Sequence, residues 1–521
     1  MRLRHLLVLA VAGSALAGPH ATASTPQPAG SPARDCRARI AGLDLQTATV
    51  ADLQKVLRSG RLTSRQLVLA YQRRIASFDG PTNSIRALSP TALAAADRLD
   101  AERRAGKVRG PLHGVPVLLK DNIGTADQPT TAGSIALAGM RPYKDATIVA
   151  RLRAAGAIVL GKTNLSEFAN WVDLSMPNGY SSLGGQVKNA YNLGDPSGSS
   201  SGSGVAGSMA FAAAAFGSET SGSILSPSSV NGLVGIKPTR GLLSRDGVIP
   251  LAEGFDTAGP MARSVQDAAA LLTAVAASDA ADPATADADK HRTDYLAALR
   301  GATLRGVRLG YSQSLHDSLA TGQKKLYDAA LATLKDQGAV LVATDALDNT
   351  GYLGLAELGL IPNDFKGNLD HYLATYAPTP ASGVKSLADI VLFNQQHTDR
   401  VKYGQRLLIA SAAQPGSREA ASAASLALRT AQGANIDKGL ADNSLAAFVA
   451  PGASYANIGA SAGYPTVVVP SGVTGSTAVG VSFMGTAWSE AQLLRLASAY
   501  EAASHSRVPP TVVNPEILKG C

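Results

Sequence analysis

Only two cysteines occur in the 521 residues, Cys36 and the last residue, Cys521. That scarcity excludes a small, disulfide-stapled scaffold. Aromatic residues are also few, at 5%, and no basic stripe with interleaved aromatics exists, so no nucleic-acid partner is expected. Basic residues stay scattered among acidic ones, as in "LDAERRAGKVRG", the pattern of solvated helix ends. Long apolar runs are missing too. The N-terminal run "LLVLAVAGSALA" is shorter than the ~20 residues that span a bilayer, and no second run of spanning length follows, so no stable membrane insertion is expected.

That short run follows Arg2 and Arg4 and precedes the small-residue sites Ala15-Leu16-Ala17 and Ala21-Thr22-Ala23, which is the layout of a secretory signal. The sequence predicts a cleaved signal over residues 1–23, with cleavage after Ala17 or Ala23, and a secreted protein. Removal of Arg2 and Arg4 takes the formal charge from +8 to +6. In an oxidising compartment, the two cysteines are expected to pair as a Cys36–Cys521 disulfide. Cys36 lacks the small-residue box of a lipidated cysteine.

What remains is ordinary globular material, 45% hydrophobic and 17% charged, without a low-complexity break after residue 40. After a Pro-rich leader over 24–36, a single domain is expected over 37–521, with a variable insertion around 349–424 where periodicity weakens. "TVADLQKVLRSGRLTSRQLVLAYQRRIASF" predicts two helices broken at Gly60. "VPVLLKD" and "AIVLGKTN", separated by a helical "DATIVARLRAAG", predict parallel strands of an α/β layer. Ser264-x-x-Asp267 and Ser489-x-x-Gln492 stand in front of apolar helical periods as capping boxes. "SDAADPATADADKHRTD" reads as a polar loop.

The stretch "DPSGSSSGSGVAGS", Asp195 to Ser208, carries three conflicting patterns. Gly198-x-Ser200-x-Gly202 has nucleophile-elbow spacing and Gly202-x-Gly204-x-x-Gly207 has dinucleotide-loop spacing, but "KNAYNLGDP" supplies no strand before either. A Gly/Ser linker is excluded because the apolar "VAGSMAFAAAAFGSE" follows at once. That Ala-rich segment is expected to be a helix bracketed by two serine-rich loops, the second being "SETSGSILSPSSVNGLVGIKPT".

Together with "GVPVLLKDN", these two serine loops resemble the amidase signature family, from about Leu112 to Thr273 and again from Pro451 to Pro509. The wording "GSSSGS", "GLLSRDGVIP" and "DTAGPMARSVQDAAALL" is most similar to bacterial peptide amidases. The resemblance implies a three-layer α/β/α fold around a mixed central sheet and an amidohydrolase of linear amides that uses no metal or cofactor. It places a catalytic lysine on Lys120, a bridging serine on Ser199, reached through a cis Gly198–Ser199 peptide, and the nucleophile on Ser223. The oxyanion donors fall on the backbone amides of Thr220, Ser221, Gly222 and Ser223. Many members carry Gly at the position of Ser221 and Arg at that of Leu225.

The residue types suit the chemistry. A serine hydroxyl is a weak nucleophile and needs a base within reach. Lysine serves only when neutral, which burial promotes. Converging backbone N–H groups offset a developing oxyanion, typically by ~3 kcal/mol each. The expected partner is a small-molecule or peptide amide, a peptide C-terminal carboxamide first. The alternatives are an aryl-amide or ester hydrolase, a silent amide-binding protein of this fold, and the glutamine-hydrolysing component of a tRNA amidotransferase, which export disfavours. Trp171 and Tyr180 are candidates for an acyl pocket, against the commoner role of plain core.

Overall fold

The computed structural model describes residues 39–347, 359–376 and 383–518. An eleven-stranded sheet organises them. Its spatial order is Val340–Ala343, Arg308–Tyr311, Ala447–Pro451, Thr477–Met484, Thr466–Thr474, Val234–Lys237, Thr257–Ala262, Ala214–Glu219, Pro116–Lys120, Ile158–Thr163 and Ile85–Leu88. Pairings are mixed. Pro116–Lys120 runs parallel to both of its neighbours, Ala214–Glu219 and Ile158–Thr163, as the two apolar runs predict, whereas Thr257–Ala262 is antiparallel to Ala214–Glu219. Helices flank the sheet as an α/β/α arrangement requires. Val265–Val275 packs on Thr257–Ala262, Ser201–Ser208 on Ala214–Glu219, and Glu490–Ser504 on Thr466–Thr474.

The strands nearest the serine loops are buried along their whole length, which explains their unbroken apolar sequences. Val117, Leu118 and Leu119 are fully buried, and each contributes roughly 2 kcal/mol of hydrophobic stabilisation. That packing holds the strand's last residue, Lys120, inside the protein.

Two helices do break at Gly60, as Val50–Arg58 and Ser64–Phe78. Gly60 takes φ +71°, a left-handed conformation that glycine adopts without a Cβ penalty. The Ser264 cap forms, its hydroxyl accepting from Asp267 N at 3.1 Å. The Ser489 box does not: Ser489 Oγ turns back to donate to Thr486 O at 2.7 Å. The stretch expected to be a polar loop, residues 278–294, holds the short helices Pro283–Thr285 and Ala288–His291, and the helix Tyr295–Ala298 follows it.

A second expectation is overturned. The Ala-rich segment is not one helix, because Ser201–Ser208 is helical while Ala214–Glu219 is a central strand. Alanine's helix preference is worth only tenths of a kcal/mol per residue over most residues, and ladders on both sides outweigh it. Small side chains also suit the place, since a Cβ on Gly217 would lie 2.7 Å from Ser200 Oγ.

Within residues 349–424, the described parts hold helices Leu360–Tyr376, Leu387–Gln396 and Arg406–Ala412 and the start of Arg418–Asp442. They close a second apolar cluster, with Phe365, Leu369, Leu387 and Leu408 packed on Phe168, Trp171 and Phe255. Among the described residues, no helix is long and apolar enough to cross a membrane. The expected signal, leader and Cys36–Cys521 pair lie outside the described residues.

Candidate active site

Lys120 ends its strand fully buried, and its Nζ donates to Ser199 Oγ at 2.7 Å, to Ser218 Oγ at 3.0 Å and to Ser218 O at 3.2 Å. Ser218 is brought there by the parallel register of Ala214–Glu219 beside Pro116–Lys120. Asn122 Nδ2 donates to Ser218 Oγ at 2.9 Å, so that hydroxyl joins the lysine to the residues following it. Burial pushes the Lys120 amine down to about 7, while the nearby carboxylates Asp256 and Glu219 pull the other way. Desolvation penalises the ammonium more than the neutral amine. Lys120 is thereby poised between its two protonation states near neutrality.

Ser199 is fully buried and follows a cis peptide bond from Gly198, as the resemblance implied. Gly198 is required by crowding, because a Cβ there would come within 2.5 Å of Ser166 Oγ. Ser200, the elbow candidate, donates through Oγ to Ser218 O at 3.1 Å, and its backbone N donates to Ser223 O at 3.1 Å. It is a brace between the two serine loops.

Ser223 is 8% exposed. It lies on the loop between Ala214–Glu219 and the helix Leu225–Val230. Lys120 and Ser199 are in direct contact, whereas no hydrogen bond links the hydroxyls of Ser199 and Ser223. The loop folds through Gly222, at φ +83°, where any other residue is strained. Glu219 Oε2 accepts from Ile224 N at 2.7 Å and Leu225 N at 3.0 Å. Burial raises the Glu219 carboxyl, opposed by Lys237 and by the N–H groups of Ile224, Leu225 and Gly222. Ser221 Oγ bonds Asn457 Oδ1, tying the loop to the C-terminal segment. Leu225 is buried against Ala456 and Val468, an apolar seat for a position that carries arginine in many members.

A cavity of about 140 Å³ adjoins this group, lined among others by Asn122, Ser218, Thr220, Asp256, His371 and Tyr372. Sequence reasoning gave no role to Ser218 and Asp256, although each opens a quoted stretch, "SETSGSILSPSSVNGLVGIKPT" and "DTAGPMARSVQDAAALL"; their place at the site is recognisable only once the strands are paired. Trp171 is core: it is 8% exposed and donates Nε1–H to Ser411 Oγ at 2.9 Å. Tyr180 stacks edge-on against Tyr403. Among the described residues, no group of three or more His, Cys, Asp or Glu side chains converges as a metal site.

A buried amine in contact with a serine, two interlocked serine loops and a mixed sheet are the makings of an amide hydrolase, and comparison with known proteins fixes the class. The Amidase family model matches residues 66–429. A "Probable amidase" of Arabidopsis thaliana is 37% identical over 484 residues, covering 90% of this chain and 92% of its own. A glutamyl-tRNA(Gln) amidotransferase component of Chloroflexus aurantiacus is 32% identical over 502 residues, covering 90% of this chain and 100% of its own. The chain belongs to the amidase signature family and is an amidohydrolase. Among solved structures it is similar to the native peptide amidase from Stenotrophomonas maltophilia, at 45% identity and a TM-score of 0.83, with 89% of this chain and 98% of that one covered.

Proposed function

We propose that the protein is an exported serine amidohydrolase that cleaves carboxamides, peptide C-terminal amides foremost, to the acid and ammonia. The observation that carries this reading is Lys120 Nζ, buried, 2.7 Å from Ser199 Oγ and with its amine pushed down to about 7. The similarity to peptide amidase supports the substrate class, and the signal-like N-terminus supports export.

In this mechanism neutral Lys120 takes a proton from Ser199, which takes one from Ser223 as Ser223 Oγ attacks the amide carbon. The carbonyl oxygen becomes an oxyanion facing the backbone amides of the Thr220–Ser223 loop. Reversal of the relay protonates the departing nitrogen, the C–N bond breaks, and ammonia leaves an ester on Ser223. Water, deprotonated by the same relay, hydrolyses that ester and restores the hydroxyl. In the ground state the two serine hydroxyls are not bonded to each other, and their hydrogen bond forms as substrate settles, as catalytic bonds often tighten only in the complex.

The test is ammonia release from a panel of amidated peptides, simple aryl amides and free glutamine. Amidated peptides are expected to have the highest kcat/KM. Release from glutamine alone, or from none of them, overturns the substrate assignment.

A further inference from the structure

The strand ladder that supports the serine loop ends just short of it. Thr257 pairs with Glu219 as the last register of Thr257–Ala262 against Ala214–Glu219. Thr220 and Asp256 are therefore the first residues beyond the ladder on the two strands. There a side-chain bond takes over from the backbone, with Thr220 Oγ1 donating to Asp256 Oδ1 at 2.5 Å.

Asp256 does not depend on Thr220 for its own place. Its Oδ2 accepts from Leu251 N at 2.8 Å and Ala252 N at 3.1 Å, and its backbone N donates to Ala252 O at 2.9 Å. The same turn is gripped from outside by Asp364 on the helix Leu360–Tyr376, whose carboxylate accepts from Glu253 N at 3.0 Å and Gly254 N at 3.2 Å. Phe255 is buried in the second apolar cluster. A carboxylate fixed by this many independent bonds is a rigid post, and the residue hung on it is Thr220, the first of the four oxyanion-loop positions.

We propose that Asp256 is a positioning residue for amide hydrolysis, fixing the oxyanion-hole backbone through the Thr220 hydroxyl. The proposal rests on the reading of Thr220–Ser223 as the catalytic loop. It goes further by extending the site to the Leu251–Asp256 turn and, through Asp364, to the helix Leu360–Tyr376. Donors aimed at an oxyanion act only when accurately placed, and a displacement of about 1 Å in a catalytic group costs up to about 100-fold in rate.

The experiment measures kcat and KM for one amidated peptide in Thr220→Val, Thr220→Ser and Asp256→Ala, with Ser223→Ala alongside. Valine keeps the shape of threonine and removes the hydroxyl. The expected result is a fall in kcat of about 10- to 100-fold for Thr220→Val, with KM within about threefold of the parent and near-parental kcat for Thr220→Ser. Asp256→Ala should fall at least as far, and Thr220→Val should then add little to it, because both cut one link. If Asp256→Ala does not fold, the Val and Ser pair decides alone. A kcat within about twofold of the parent in Thr220→Val, or a rise in KM at unchanged kcat, overturns the proposal. Full activity of Ser223→Ala overturns instead the reading on which it rests.

Discussion

The rate of acylation should follow the titration of Lys120. At an amine pKa of about 7, roughly half of the molecules hold a neutral lysine at pH 7, against about one in 3,000 for a lysine at its ordinary 10.5. Burial therefore raises the population of active base by about three orders of magnitude. The sign follows from the protonated form being inert: kcat/KM is flat above pH ~8 and drops about tenfold per pH unit below ~6. Asp256 favours the ammonium, so Asp256→Asn should move the acid limb to lower pH. Burial also pushes the Glu167 carboxyl up to about 7, and a limb from that group must be told apart. The assay is kcat/KM for an amidated peptide from pH 5 to 9 in the parent, Lys120→Ala and Glu167→Gln. The limb should persist in Glu167→Gln and vanish, with most of the activity, in Lys120→Ala. A profile flat from pH 5.5 to 8, or a limb that survives in Lys120→Ala, refutes the assignment of the base.

Ser223→Ala should lose at least about 10⁴-fold in kcat while keeping its melting temperature, since the change removes one hydroxyl from a loop; stopped ammonia assays and thermal melts check both halves. Gly222→Ala, at φ +83°, should cost about 1 kcal/mol or more of stability and lower kcat, read from denaturant unfolding and steady-state kinetics. Trp171→Phe removes the bond to Ser411 Oγ and should cost about 1 kcal/mol of stability with kcat unchanged, as befits a core residue. Non-reducing peptide mapping of the protein produced with its N-terminal segment should find Cys36 joined to Cys521 if the proposed export holds; two free thiols would contradict the expected pairing.

The strands flanking the site were legible because burial on both faces leaves long apolar runs, as in "VPVLLKD" and "AIVLGKTN". Lys120 was placed by the resemblance that "GVPVLLKDN" carries and not by closing an apolar run, since the buried Lys162 closes "AIVLGKTN" in the same way. Ser199 and Ser223 were legible only as ordered motifs, since no periodicity distinguishes one serine in "SGSSSGSG" from the next. The Ala214–Glu219 strand was hidden by its composition: local preference favours helix, and only pairing with Pro116–Lys120 and Thr257–Ala262 decides otherwise. Ser218 escaped notice for the same reason. Asp256 is separated from Thr220 by 36 positions, and nothing local in either segment announces that the sheet will set them side by side. The Ser489 cap fails because its backbone sits at φ −91°, ψ 16° and not in the extended conformation usual for an N-cap, with the hydroxyl returned to Thr486 O.

The central claim is that Ser223 is the nucleophile, and covalent capture tests it most directly. After reaction with a fluorophosphonate and proteolysis, mass spectrometry should find one equivalent of label on the peptide carrying Ser223, its formation slowed by excess amidated peptide present during labelling, and absent from Ser223→Ala. Label on Ser200, or undiminished labelling of Ser223→Ala, would contradict it.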